Sequence, residues 1–230
     1  MRNLRIGLLG GTFDPVHLGH LAVAETVLSR LQLGRMLFIP AARPPHKTDF
    51  SITSFSQRAA MLELALVPFF SYELCLLEEE RPGLSFSIDT LRELRQRFGG
   101  EARFFFIIGF DAFAEINSWK EWNHLLDLTA IVVINRPSHD GGNMDELVSR
   151  LFPGYREGAA GVWSAETGEN IYSLAMEPVS ISSTEIRRRV RAGESVASQV
   201  SPGVGQYIRD HDLYLSEAST SSRSLLSTKA

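Results

Sequence analysis

Two histidines, His17 and His20, stand three positions apart behind the run Gly10-Gly11-Thr12-Phe13-Asp14-Pro15. At the start of a helix that spacing puts both rings on one face. An imidazolium pair there can donate to one anion and stabilise the charge that builds on a pentavalent phosphorus. Gly10 and Gly11 let a ligand approach the backbone with no Cβ in the way. The first N–H groups of the following helix have no partner inside it and favour an anion. Gly19 removes a side chain that would crowd the pair. The chemistry these residues suit is work on a phosphate.

The surrounding elements must position that stretch. Leu4 to Leu9 is an apolar run read as a buried strand, Gly10-Gly11 as a tight turn, and Leu21 to Leu28 as a helix. Strand and helix patterns then alternate. Strands are expected over Met36–Ile39, Tyr72–Leu76, Arg103–Ile108 and Ala130–Asn135. Helices are expected from about Phe55 to Val67, over Ile88–Phe98, and as a short piece over Trp119–Leu126. This repetition predicts an α/β fold, a Rossmann-like, doubly wound parallel sheet with helices on both faces. Ligands in such sheets bind beyond the C-terminal strand ends, where strand order reverses. The chemically suggestive segments all follow predicted strands: the glycine-histidine stretch, Arg43-Pro44-Pro45-His46-Lys47, Gly109-Phe110-Asp111 and Arg136-Pro137. That places them at one edge of the sheet.

Further on, Met144 to Phe152 reads as a helix, Pro153 to Asn170 as loop, and Ile171 to Met176 as an edge strand. Then comes Ile181-Ser182-Ser183-Thr184-Glu185-Ile186-Arg187, in which Ser182, Ser183 or Thr184 supplies an N-cap. Hydroxyls and N–H groups at such a helix start hold phosphate oxygens, and Arg187 can clamp a leaving pyrophosphate with paired donors. Arg188, Arg189 and Arg191 read as surface charges. A small helical part, Pro202 to Asp210, closes the domain, with proline at its start. Residues 1–215 are expected to form one domain and the Ser/Thr-rich 216–230 a disordered tail.

Other positions keep two readings each. Trp119 can stack on a flat aromatic ring or pack in the core beside Trp122. Asp111 can accept from a ribose hydroxyl or cap a helix. Arg136 can bind phosphate or be a strand-end charge. Pro44-Pro45-His46-Lys47 presents two donors on a stiff loop or is a solvated turn.

The stretch around His17 and His20 resembles the His-x-Gly-His signature of the nucleotidylyltransferases, a superfamily that also includes, more distantly, class I aminoacyl-tRNA synthetases. The full series of Gly-Gly-Thr-Phe-Asp-Pro-x-His, Pro-Pro-His-Lys, Ser-Phe-Ser-x-Asp-Thr-Leu, Gly-x-Asp, Trp, Arg-Pro and Ser-Ser-Thr-x-x-Arg resembles the bacterial nicotinate-nucleotide adenylyltransferases, from about Ile6 to Tyr214. That resemblance implies transfer of AMP from ATP to nicotinic acid mononucleotide, giving nicotinic acid adenine dinucleotide and pyrophosphate in NAD biosynthesis. It implies His17, His20 and Arg187 as catalytic residues. It assigns ATP to Gly10, Gly11, Thr12, Phe13, His17, His20, Gly109, Asp111, Ile181, Ser182, Ser183 and Arg187. It assigns the mononucleotide to His46, Lys47, Ser87, Thr90, Trp119, Lys120 and Arg136. Within that set Trp119 stacks on the pyridine ring, and backbone groups near Ser87 and Lys120 take its carboxylate. His46, Lys47 and Arg136 hold the mononucleotide phosphate. Mg2+ is expected to arrive with ATP, keeping several waters, with no dedicated protein metal site.

The chain departs from the family where Ser85-Phe86-Ser87 replaces Ser-Tyr-Thr and where Phe110 replaces an alanine. Both changes sit by the expected acceptor site, away from the histidines. The alternatives are an acceptor that is the amide mononucleotide or another phosphomonoester, and a non-catalytic nucleotide sensor. Phosphopantetheine is disfavoured by His17, because enzymes of that kind usually carry threonine there.

The 230 residues are 44% hydrophobic and 22% charged, with a net charge of -4, an ordinary globular composition that argues against a broad nucleic-acid surface. The single cysteine, Cys75, excludes an internal disulfide and reads as a structural thiol. No membrane span or signal peptide is read, so a cytoplasmic location is expected, with neither nucleic acid nor membrane as partner and homo-oligomer formation left open.

Overall fold

In a computed structural model the described residues are 4–44, 52–135, 143–177 and 180–215. His46, Lys47, Arg136 and the tail 216–230 lie outside them. The core is one sheet in the order β3-β2-β1-β4-β5-β8-β7-β6. Five strands and the return strand run parallel: β1 (Leu4–Gly11), β2 (Arg35–Pro40), β3 (Tyr72–Leu74), β4 (Ala102–Gly109), β5 (Ala130–Asn135) and β8 (Ile171–Ala175). β6 (Arg156–Ala159) and β7 (Val162–Ser164) form an antiparallel hairpin on its far edge.

Leu8, Phe105, Val132 and Val133 are fully buried, as expected for strands covered on both faces. One face is closed by α1 (Leu18–Arg30), α2 (Phe55–Leu66), α8 (Ser183–Arg191) and α9 (Pro202–Asp210), the other by α4 (Ser87–Phe98), α5 (Phe110–Ala114), α6 (Leu125–Leu128) and α7 (Met144–Leu151). A short α3 (Leu77–Glu80) precedes α4. Chain order runs outward from β1 through β2 to β3, then crosses back to β4 on the other side of β1. The reversal between β1 and β4 is the topological switch point. No helix among the described residues is long and apolar enough to cross a membrane.

Four expectations are corrected. β1 runs through Gly10 and Gly11, which pair with Ile39 and Pro40, so the turn is made by Thr12 to Val16 rather than by the glycines. Residues 153–170 are not all loop, because they contain β6 and β7. Consequently β8 is no edge strand: it lies between β5 and β7. In place of a Trp119–Leu126 helix, Trp119 is extended after a 3-10 turn at Ile116–Ser118, Glu121 is left-handed at φ 48°, and a second 3-10 turn at Trp122–His124 leads into α6. On a continuous helix Trp119 and Trp122 would share a face. The break lets Trp119 meet Phe106 while Trp122 packs on Phe152.

Candidate active site

A cavity of about 940 Å³ opens at the C-terminal ends of β1 and β4, at the switch point. Its wall carries Gly10, Gly11, His17 and His20 from the first crossover. Gly109 and Asp111 come from the end of β4 and the start of α5, and Ile181, Ser182 and Ser183 from the start of α8. Ser87, Thr90 and Trp119 complete it on the α4 side. Thus twelve of the sixteen expected site residues that are described line one cavity, though they span more than 170 positions of sequence.

The histidine pair is built by the N-terminus of α1. His17 is the N-cap residue, in extended conformation. Its backbone N–H donates to His20 Nδ1 at 3.2 Å, and the two rings stack with centroids 3.7 Å apart. Because His20 Nδ1 accepts that hydrogen bond, its proton sits on Nε2, leaving an uncharged donor. Burial pushes the His17 imidazole down to about 4, and burial together with the neighbouring His17 pushes His20 down to about 3. The expected imidazolium pair is therefore corrected: at neutral pH both rings are neutral, since neither gains a carboxylate to offset lost hydration. His17 Nδ1 is buried with no partner.

The loop that delivers these rings is tied down from far along the chain. Phe13 is 2% exposed and left-handed at φ 51°, and its ring meets His20 edge-on at 4.9 Å. Asp14 joins Pro15 through a cis peptide bond. Arg58 on α2, only 1% exposed, donates to three carbonyls: Thr12 at 2.7 Å, Ala41 at 2.9 Å and Thr53 at 2.9 Å. It thereby joins the end of β1 to the segment after β2. Ser183 Oγ donates to Pro15 O at 2.9 Å, and Arg187 Nη1 to Asp14 O at 2.7 Å. Asp14, 6% exposed, accepts from Tyr214 OH at 2.8 Å and Thr53 N at 3.4 Å. Burial and the Asp14 carboxylate push the Tyr214 phenol upward, so it stays a donor.

Arg187 thus grips the histidine loop and Thr184, and is not part of the cavity wall. Thr12 and Phe13 stand behind the wall as well. Lys120 also lies off the wall, ion-paired to Asp89 at 2.9 Å and poised over the Phe86 ring. Of the alternatives, Trp119 lies half-buried on the wall, edge-on to Phe106 with centroids 6.3 Å apart. Asp111 is exposed on the wall in the first turn of α5. Ser182 is the N-cap of α8, accepting from Glu185 N at 3.2 Å. Thr90 Oγ1 donates to Glu78 Oε1 at 2.7 Å, and Glu78, 8% exposed, keeps its second oxygen unpartnered beside the cavity. Cys75 is half-buried beyond β3 and its thiol is pushed up by burial, consistent with a structural role.

Sequence reasoning missed Arg58, Glu78 and Tyr214. Arg58 was findable: with Met61, Leu62, Ala65 and Leu66 it falls on the buried stripe of α2, where a charged residue must have partners.

Comparison with known proteins bears on the same segments. A family model described as cytidylyltransferase-like matches residues 8–189. A "probable nicotinate-nucleotide adenylyltransferase" of Thermoanaerobacter sp. is 37% identical over 93% of this chain and 95% of its own. One of the same description from Geotalea daltonii is 40% identical over 92% of this chain and 98% of its own. The solved nicotinic acid mononucleotide adenylyltransferase of Plasmodium falciparum superposes with a TM-score of 0.68, covering 91% of this chain and 96% of its own, and at 21% identity shows the shared fold. The chain belongs to the cytidylyltransferase-like family and, within it, to the nicotinate-nucleotide adenylyltransferases.

Proposed function

We propose that this chain transfers the adenylyl group of ATP to nicotinic acid mononucleotide, forming nicotinic acid adenine dinucleotide and pyrophosphate. Membership of the family supports the reaction. The observation that carries its placement is the junction of Ser183 with Pro15, which brings the α8 start and the histidine loop to one cavity at the switch point.

The mononucleotide phosphate oxygen attacks the α-phosphorus in line. A new P–O bond forms, the bond to the β-phosphate bridging oxygen breaks, and pyrophosphate leaves with that electron pair. The nucleophile needs no covalent enzyme intermediate, so catalysis is positioning plus charge stabilisation. His20 donates from Nε2–H to the α-phosphate as a neutral group, and His17 assists. A neutral donor strengthens its hydrogen bond as charge develops without first having to be protonated. Backbone N–H groups at the α8 start, that of Ser183 included, and the Ser182 hydroxyl donate to phosphate oxygens, while the Ser183 hydroxyl is engaged with Pro15 O. Arg187 keeps the two phosphate-binding segments at a fixed separation. Trp119 stacks on the pyridine ring, with Ser87 beside it.

Magnesium fits as a passenger of the triphosphate. The carboxylates on the cavity wall are Glu78 on α3, Asp111 on α5 and Glu177 two residues beyond β8. Bound with the triphosphate and keeping several waters, magnesium would supply charge neutralisation for the leaving pyrophosphate.

The test is to supply ATP and magnesium with either the acid or the amide mononucleotide, identify the dinucleotide formed, and measure kcat/KM for each. The proposal expects the acid to be preferred. A preference for the amide would reassign the acceptor, and no dinucleotide from either would remove the reaction.

A further inference from the structure

The loop between β1 and α1 holds a conformation that its own sequence does not favour. Phe13 is a bulky residue at φ 51°, a region L side chains seldom occupy outside glycine. Such a residue persists when its surroundings over-determine it. Here the reward is the position of the Phe13 ring, which sits 4.9 Å from the His20 ring at 71°. Next to it, Asp14 is a carboxylate 6% exposed. Its two oxygens are served by Tyr214 OH at 2.8 Å and Thr53 N at 3.4 Å, so the phenol is the shorter contact. Tyr214 follows α9 by four positions, and the chain reaches Asp14 only by an unusual path: Asp212 at φ 48° and Tyr214 at φ 64° are both left-handed, while Leu213 N closes onto Ile208 O at 3.0 Å. The end of the fold is bent to deliver one hydroxyl to one buried carboxylate, two hundred positions away.

We propose that Tyr214 is a positioning residue for catalysis: its hydroxyl, by holding Asp14 Oδ1, latches the loop in the strained form that aims the His20 ring. The latch acts through Asp14 and Phe13 and does not touch substrate. It deepens the reaction described above and rests on that reading.

The experiment uses the full chain as wild type, Tyr214→Phe, Asp14→Asn and the double variant. It reads kcat, KM for both substrates, the thermal midpoint, and the NMR signals of the His20 ring, which lies against the Phe13 ring edge. Tyr214→Phe is expected to lower kcat roughly tenfold, the scale of one hydrogen bond to a buried carboxylate, with each KM within about twofold of wild type and the His20 signals displaced. The double variant is expected to be no worse than the poorer single one, since both break the same bond. A Tyr214→Phe enzyme with wild-type kcat and unmoved His20 signals would overturn the latch, as would losses that multiply in the double variant. If Tyr214→Phe is too unstable to assay, Asp14→Asn carries the same comparison. If the wild-type chain itself makes no dinucleotide, the reaction fails separately, and the latch stands or falls on the His20 signals alone.

Discussion

The histidine loop after β1 and the β6–β7 hairpin are both irregular additions to the same sheet, and they are built in opposite ways. In the loop Phe13, Asp14, Val16 and His17 are all buried. Its polar groups are met by Arg58, Ser183, Arg187 and Tyr214, between 46 and 200 positions away. The hairpin exposes every residue of β6, and its bonds are local: Gly161 N to Glu157 Oε1 at 2.7 Å, and Arg156 to Pro153 O at 2.7 Å. It meets the core through the pairing of β7 with β8, where Ser173 N donates to Gly161 O at 2.8 Å, and through buried Trp163, tied to Asp145 at 3.0 Å. The difference teaches where preorganisation resides. A site that must stabilise charge in the transition state is held by buried bonds to distant elements, so that no reorganisation is needed during reaction. A sheet extension with no such task is held by its neighbours.

That contrast can be broken or sharpened by substitution. The largest effect is expected at His20: His20→Ala should lower kcat roughly 10²–10³-fold, by analogy with loss of one preorganised donor, in a pyrophosphate-release assay. Next is Arg58→Ala, which strands the carbonyls of Thr12, Ala41 and Thr53. Unfolding in urea should show a loss of about 3 kcal/mol, the scale of stranding buried hydrogen-bonding groups. Trp119→Leu should raise KM for the mononucleotide roughly three- to tenfold, with little change in KM for ATP, as loss of one aromatic stack predicts. Smallest is Glu157→Ala in the hairpin, expected to leave both kcat and the unfolding midpoint unchanged within error. A hairpin substitution that cost as much activity as one in the loop would dissolve the comparison.

The legible parts of the chain were those where local pattern and tertiary role agree. Leu4 to Leu9 is apolar because β1 is covered on both faces, so periodicity found it. Gly10, His17, His20, Ser182 and Ser183, each with a bland reading when taken alone, were picked out because the two stretches occur together, and the fold brings both to one cavity wall. The hairpin was illegible because Arg156–Ala159 faces solvent and carries no apolar alternation. Tyr214 was illegible because its partner lies two hundred positions away and no local pattern announces it. The charge state of the histidines was misread for the same reason. Spacing reveals that two imidazoles share a face, but their protonation follows from how Phe13 and the closed loop remove them from water. Arg187 was read from its type and its place at the α8 start, but its bond to Asp14 O, 173 positions away, has no local signature.

Neutral histidines also set a pH dependence. Both imidazoles hold protons less readily in the folded chain than in the unfolded one, so the folded state gives up stability as pH falls from about 6.5 towards about 4 and 3. The account's central claim is that a clasped, buried loop presents uncharged imidazole donors. The most direct test is a nitrogen-detected NMR titration of the His17 and His20 rings in the free protein, from about pH 8 to about pH 5. Both rings should stay neutral throughout, with the His20 proton on Nε2. Rings that titrate near 6.5 or above would contradict it.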